Sequence, residues 1–321
     1  MSWTNLPPEL VDKVLSDNGL RKRDLANLAR VNRSTYPVVL KWLYRDVKLH
    51  GSGQRQDQQV LNLFDRALTE SPRLAAATKS LTINAFLPNE DKLLRSKSIL
   101  GKLYALQTLS LAFYGQGYFD ASFVQNIIPT GLKASANTLA QTQCIKISDP
   151  ELTFGDIVKL MWLPKVQSLS VKCHRKIENS GLAVLPSTAS LRFPLKNLTV
   201  AISADCNQEL LNVLPFCFAL ESFTCNVSSM CNVNDDLISP AGLSQALMPC
   251  QKTLIAMEFN SDRLGHIDDS RLDLSCFGNL RSLKANSLLL FGEDEGDDPA
   301  CRNGLYARLP SSLEKLEVCN P

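Results

Sequence analysis

A short pattern recurs along the chain from residue 78 to its last residues: an apolar residue, two others, a second apolar residue, one other, and a third apolar residue. Clear copies begin at Leu106, Val166, Leu195, Leu220, Leu280 and Leu313, and looser copies at Thr78, Thr142 and Leu254. The alternating apolar residues predict short strands with one buried face. Because one such strand cannot bury its face alone, the copies are expected to stack into a parallel sheet with helices packed behind it.

The segments between the copies have helical spacing, as in Ile157, Val158, Leu160 and Met161. Several end at a residue followed by proline, just before the next copy: Leu163, Phe193, Leu214, Met248 and Leu309. Proline disfavours helix at the residue before it, so the helices are expected to stop at these steps.

Residues 78–321 resemble a leucine-rich-repeat solenoid. The central apolar residues of successive copies are 24 to 36 residues apart, around the upper end of that family's period. The Asn or Cys that the family carries after each strand is absent here, so the resemblance implies an irregular solenoid.

Residues 4–49 have helical spacing throughout, which predicts a small separate domain. A first helix carries Leu10 and Val14, a second begins with Asp24 as N-cap, and a third is capped by Ser34 with Pro37 in its first turn. Three helices this short expose more apolar surface than they can share, so the domain is expected to pack against the repeats or a partner.

These first residues resemble an F-box, in its fungal form. The matching segments are Leu6 to Leu10, Asp24 to Leu28, Val31 to Tyr36 and Trp42 to Leu49. The resemblance extends over the whole chain and implies an α/β protein: a three-helix F-box at residues 1–49, a linker helix at 50–77, and an irregular leucine-rich-repeat solenoid with one parallel sheet at 78–321.

The resemblance implies an adaptor of an SCF (Skp, cullin, F-box) ubiquitin ligase. Its F-box would bind the Skp subunit, and through it a cullin, while the repeats hold a protein substrate; the chain itself would not be an enzyme. The implied Skp interface consists of Leu6, Pro7, Pro8, Leu10, Val14, Leu15, Leu25, Leu28, Val31 and Asn32. Val11, Leu40 and Leu43 are expected to be core.

The alternative is a ligase-independent interaction scaffold, in which the N-terminal helices cap the repeat sheet. The surface from Leu6 to Leu10 distinguishes the two hypotheses: it is free in the adaptor and packed on the first repeat in the scaffold.

Residues between the apolar positions of each copy are expected to lie on the open face of the sheet. Many are hydroxyl or amide residues, and we identify the candidate substrate-binding residues as Ser110, Ser168, Ser170, Asn197, Thr199 and Thr224. Charged residues follow at Glu258, Lys284, Lys315 and Glu317. The same residues are also ordinary occupants of an exposed β surface.

The sequence offers little for catalysis or cofactor binding. It has three histidines, lacks the common hydrolase, metalloprotease and nucleotide-binding motifs, and indicates no cofactor. Cys173 beside His174 leaves an enzyme as a weaker alternative, and the cluster Cys206, Cys217, Cys225 and Cys231 is expected to be buried thiols rather than a zinc site. The acidic run 293–298 is expected to be an exposed loop, with docking of a basic target as the alternative. The aromatic residues at 113–119 are expected to be core under a loop, with anchoring of a partner as the alternative.

Charge and cysteine usage limit the partners and the compartment. The chain has 34 Lys and Arg against 32 Asp and Glu, so no overall field attracts nucleic acid or membrane, although residues 1–50 hold nine against five. We find no secretory signal and no apolar run long enough for a membrane span. The ten cysteines are expected to be reduced in a cytoplasmic or nuclear protein.

Overall fold

The computed structural model describes residues 7–17, 20–31, 35–50, 54–86, 90–114, 139–148, 152–172, 192–203, 207–228, 239–261, 270–291 and 304–319. The chain divides into two compact units. The first comprises residues 1–117 and 129–142, and the second comprises residues 118–128 and 143–321.

The first unit begins with three helices, α1 (Pro8–Asp17), α2 (Lys22–Val31) and α3 (Tyr36–Arg45). Val11, Leu15, Leu25 and Val39 form their shared buried core. The three helices therefore share a buried core within the first unit.

Two helix starts differ from expectation in their details. Helix α2 begins at Lys22, and the carboxylate of Asp24 accepts a 3.2 Å hydrogen bond from the backbone N–H of Arg21, so Asp24 supports the helix start from inside the first turn. Thr35 precedes α3, with Pro37 in the first turn as predicted. Ser34, the expected cap, lies outside the described residues.

The rest of the first unit alternates strands and helices. Its elements are β1 (Asp46–His50), α4 (Gln54–Glu70), α5 (Pro72–Ala77), β2 (Ser80–Phe86), α6 (Glu90–Lys102) and β3 (Thr108–Tyr114). The three strands are parallel and in register, with Val47 beside Leu81 and Leu81 beside Leu109. Strand β1 was not predicted: it lies in the segment assigned to the end of the F-box, so the sheet starts earlier than expected.

A buried carboxylate ties α4 to α6. Asp65 accepts hydrogen bonds from Lys102 at 2.6 Å, Ser98 at 2.9 Å and Arg95 at 3.2 Å. Burial alone would raise the pKa of Asp65, but these three donors outweigh it and hold the pKa below its usual value.

The second unit continues the same alternation. Its elements are β4 (Cys144–Ser148), α7 (Phe154–Met161), β5 (Ser168–Lys172), β6 (Asn197–Ser203), α8 (Asn207–Val213), β7 (Ser222–Ser228), α9 (Pro240–Leu247), β8 (Ala256–Ser261), β9 (Ser282–Asn286), α10 (Ser287–Phe291), α11 (Leu305–Arg308) and β10 (Lys315–Cys319). Short 3₁₀ helices follow α8 at Leu214–Phe216 and α9 at Met248–Cys250. Helices α7, α8, α9 and α11 end just before the predicted proline steps.

The strands of the second unit form a parallel sheet in chain order. The central apolar residues of the predicted copies share one row, which runs through Ile145, Leu169, Leu198, Phe223, Met257, Leu283 and Leu316. With Leu81 and Leu109 of the first unit, every predicted copy lies in a strand. The repeat prediction is confirmed.

A repeated backbone contact fixes this register. The carbonyl oxygen of Lys196, just before β6, accepts hydrogen bonds from the N–H groups of Glu221 and Ser222 at 2.7 and 2.9 Å. The carbonyl oxygens of other residues in the second unit each accept hydrogen bonds from two consecutive N–H groups in the same way: Gln143, Gln167, Glu221, Ile255 and Arg281. Each strand thus enters the sheet at a position set by the strand before it, which aligns the apolar side chains on one face and the polar ones on the other.

Candidate interaction surfaces

The open face of the second unit carries five of the predicted substrate-binding residues. Ser168 and Asn197 are register partners in one row, and Ser170, Thr199 and Thr224 are consecutive partners in the next. All five are at least partly exposed. The structure therefore brings these side chains together on one surface.

Ser110, the sixth, lies in the first unit. It is partly exposed on β3 beside Thr82, which in turn pairs with Lys48 of β1. Lys48 was missed because β1 was not predicted. Lys146 was missed as well: it extends the row of Ser170 and stands between two buried isoleucines, the alternation that could have identified it.

The row of Ser170, Thr199 and Thr224 continues into charged residues at β8 to β10. Lys284 lies between Glu258 and Glu317, with ion pairs of 3.0 and 3.5 Å, and Lys315 contacts Glu317 at 3.5 Å. Ser222, Ala256 and Ser282 leave space beside these charges, and the resulting hollow measures about 340 Å³. The face thus passes from hydroxyl groups to fixed, alternating charges.

Hydrogen bonds hold the Glu258 carboxylate in place. The hydrogen bond from Lys284 is the largest influence and holds the pKa of this carboxyl below its usual value, although burial acts in the opposite direction. Asn260, which donates a 2.9 Å hydrogen bond to the carboxylate, also lowers its pKa. Asn260 also donates to the side-chain oxygen of Asn226 at 3.0 Å. A positioned carboxylate of this kind can accept hydrogen bonds from a partner without a large reorganisation.

The predicted Skp-binding residues divide into two groups in the three-helix cluster. Pro7 and Leu10 lie on the surface, and 48% of Leu10 is exposed. Leu15 and Leu25 belong to the buried core, and Val14 and Leu28 are partly buried. Leu15 and Leu25 are thus placed to hold α1 and α2 together rather than to contact a partner directly.

Four predicted Skp-binding residues fall, wholly or by their side chains, outside the described part of the chain. Leu6 and Asn32 lie outside the described residues, as do the side chains of Pro8 and Val31. Of the residues expected to be core, Val11 is buried, while Leu40 and Leu43 are partly buried.

The position of α1 is fixed by a polar contact with α3. The indole N–H of Trp42 donates a 2.6 Å hydrogen bond to Asp12, and the ammonium group of Lys41 lies 3.3 Å from the same carboxylate. Because Asp12 and Leu10 share one short helix, this contact also sets the direction of the exposed leucine.

The described cysteines do not form a metal site. Cys217 and Cys225 are buried thiols, as expected, and burial raises the pKa of Cys217 to about 12. Among the described residues, no three His, Cys, Asp or Glu side chains are grouped closely enough to hold a metal ion. Cys173, His174, Cys206, Cys231, the acidic run 293–298 and most of the aromatic segment 113–119 lie outside the residues whose surroundings are described.

None of the described helices combines the length and the hydrophobicity needed to cross a bilayer. No protein-family model matches the chain. No curated protein matches it either. The crystal structure of the leucine-rich repeat-containing protein LegL7 from Legionella pneumophila aligns with 86% of this chain and 90% of its own, at 10% identity and a TM-score of 0.38.

Proposed function

We propose that the chain is a non-catalytic substrate adaptor of an SCF-type ubiquitin ligase, with α1 and α2 binding the Skp subunit and the leucine-rich repeats binding a protein substrate. Leu10 carries the proposal. It is an apolar residue near the start of α1, half exposed although the cluster has a core of its own. An exposed leucine in a segment that resembles the opening of an F-box is what docking to a Skp subunit requires.

The repeat part supports the second half of the proposal. Its open face presents aligned hydroxyl, amide and charged side chains on a rigid sheet, and repeat proteins generally bind partners on such surfaces. No residue of the chain transfers ubiquitin in this proposal. The chain brings two proteins together.

A ligase-independent scaffold is the alternative, and the attachment of the helices favours it. Helix α3 contacts α5, and the backbone N–H of Lys79 donates a 2.8 Å hydrogen bond to the carbonyl of Arg45 at the end of α3. The helices are therefore joined to the first repeats, as a cap would be. The exposure of Leu10 weighs against this alternative, because a cap would bury its apolar surface against the first repeat.

Binding of a purified fungal Skp subunit tests the proposal. The test variant is Leu10→Asp, and the matched control is Leu63→Asp, since Leu63 on α4 is 57% exposed and lies outside the F-box-like segment. Asp near the start of α1 is compatible with the helix, because carboxylates there are favourable. We expect loss of Skp binding in Leu10→Asp alone. Equal binding by all three proteins, or none by the wild type, would refute the adaptor.

A further inference from the structure

A groove runs between α3 and α5 in the first unit. Its volume is about 610 Å³, within the range of ligand-binding clefts. Leu40 of α3 and Leu74 and Ala77 of α5 contribute an apolar floor. Tyr36, at the first turn of α3, stands at the groove with 46% of its surface exposed.

The charged residues of the groove have one sign. Lys41 and Arg45 line it from α3, Arg73 lines it from α5, and Lys79 lines it from the segment that leads into β2. Among the described residues, its lining contains no carboxylate. An apolar floor with a cationic rim selects a partner that is apolar and anionic.

The nearby carboxylates are engaged elsewhere. Asp12 pairs with Lys41 and accepts the hydrogen bond from Trp42, but it does not line the groove. Asp46, next to Arg45, interacts electrostatically with Lys22. The charge of Lys41 is therefore partly balanced by Asp12, whereas, among the described contacts, Asp12 contacts neither Arg73 nor Lys79.

We infer that this groove binds an acidic peptide segment of a protein partner, with an apolar side chain on the floor and carboxylates near Arg73 and Lys79. The arrangement matches the general way in which an amphipathic helix lies in a groove between two elements. The inference does not depend on the ligase proposal, because the groove is formed by α3 and α5 and does not include Leu10.

Fluorescence anisotropy with synthetic peptides tests this inference on the full chain. The probe is a labelled peptide of about twelve residues with leucine at every third or fourth position and glutamate elsewhere. One comparison peptide replaces glutamate with lysine, and another replaces leucine with serine. We expect the probe to bind, more weakly as salt is added, and each comparison peptide to bind at least about tenfold more weakly.

Paired variants locate the binding. The double variant Arg73→Glu and Lys79→Glu is expected to bind the probe peptide at least about tenfold more weakly. The control is the double variant Arg23→Glu and Lys97→Glu, which makes an equal charge change at exposed positions outside the groove and is expected to leave the affinity unchanged. Leu10→Asp is expected to retain binding. Circular dichroism checks that the Arg73→Glu and Lys79→Glu variant is folded. If it is not, the milder pair Arg73→Gln and Lys79→Gln takes its place, and the same direction of change in probe binding is expected. No binding by the wild type, equal binding of the lysine peptide, or loss in Leu10→Asp would overturn the inference.

Discussion

Leu283 and Leu316 are register partners on the neighbouring strands β9 and β10, yet Leu283 is fully buried and 40% of Leu316 is exposed. Both fill the central position of the repeat pattern. The difference arises from packing: Leu283 has strands on both sides, whereas β10 has a described partner on the β9 side alone.

This pair gives a matched test of the repeat core. Leu283→Ala is expected to lower the free energy of unfolding by about 2 to 5 kcal/mol, and Leu316→Ala by less than half as much, because the cost follows the buried volume that is lost. Urea unfolding followed by circular dichroism measures both. Equal losses would mean that β10 is covered in solution.

The Leu283 and Leu316 positions also show what the sequence could predict. Alternation of apolar residues within each copy located strands β2 and β3 of the first unit and β4 to β10 of the second, with the central residues of each unit in one row, because the buried face of a strand imposes a period of two. The same pattern could not report how much each copy is covered, since coverage depends on residues distant in the chain.

Strand β1 shows a second limit. In the structure, buried and exposed residues alternate from Asp46 to His50. The sequence signal is weak, because the segment contains two apolar residues and follows directly after the helical pattern of α3. The strand becomes evident through its pairing with β2.

The two candidate binding surfaces differ in how far the sequence predicts them. The spacing of residues within each copy predicts the open face that carries Ser168 and Thr224. It does not predict the groove, because α3 and α5 come together through tertiary packing.

Asp65 provides a pH-dependent test of the α4–α6 contact. The pKa of Asp65 is lowered in the folded chain. The ionised carboxylate therefore stabilises the fold at neutral pH, and this stabilisation is lost as the pH falls through the folded-state pKa. Asp65→Asn is expected to lower the free energy of unfolding by about 1 to 2 kcal/mol at neutral pH. The difference from the wild type should shrink below the usual aspartate pKa of 3.8.

Denaturant unfolding at several pH values measures this effect. Glu70→Gln, at an exposed carboxylate on the same helix α4, is the control, because its ion pair with Arg66 is solvent-exposed. A difference between Asp65→Asn and the wild type that stays constant with pH would contradict an ionised Asp65 as its source.

On the open face, the ion pair between Lys284 and Glu258 is expected to couple the pKa of Glu258 to the charge of Lys284. Lys284→Gln is expected to raise the pKa of Glu258, because the hydrogen bond from Lys284 is the largest influence that lowers it. Titration of the side-chain carboxyl carbons by NMR measures the shift, and Lys252→Gln, at an exposed position outside the hollow, is the control. An unchanged Glu258 would show that the charged residues are not held together in solution.

Buried thiols predict selective alkylation. Burial raises the pKa of Cys217 and of Cys250 to about 12, so few thiolates form there at about pH 8, whereas Cys276 is exposed. Iodoacetamide should modify Cys276 in the native protein and all three in urea. Mass spectrometry of the peptides distinguishes the sites, and rapid native modification of Cys217 would contradict the packing of the second unit.

The adaptor proposal is tested most directly by assembly. The wild-type chain, Leu10→Asp and Leu63→Asp are each mixed with a purified Skp subunit and cullin, and the molar mass of the eluting species is measured by light scattering. The account predicts that the wild type and Leu63→Asp add the 35.5 kDa of the chain to the Skp–cullin complex, while Leu10→Asp elutes alone. A wild-type chain that elutes alone, or a Leu10→Asp chain that joins the complex, would contradict it.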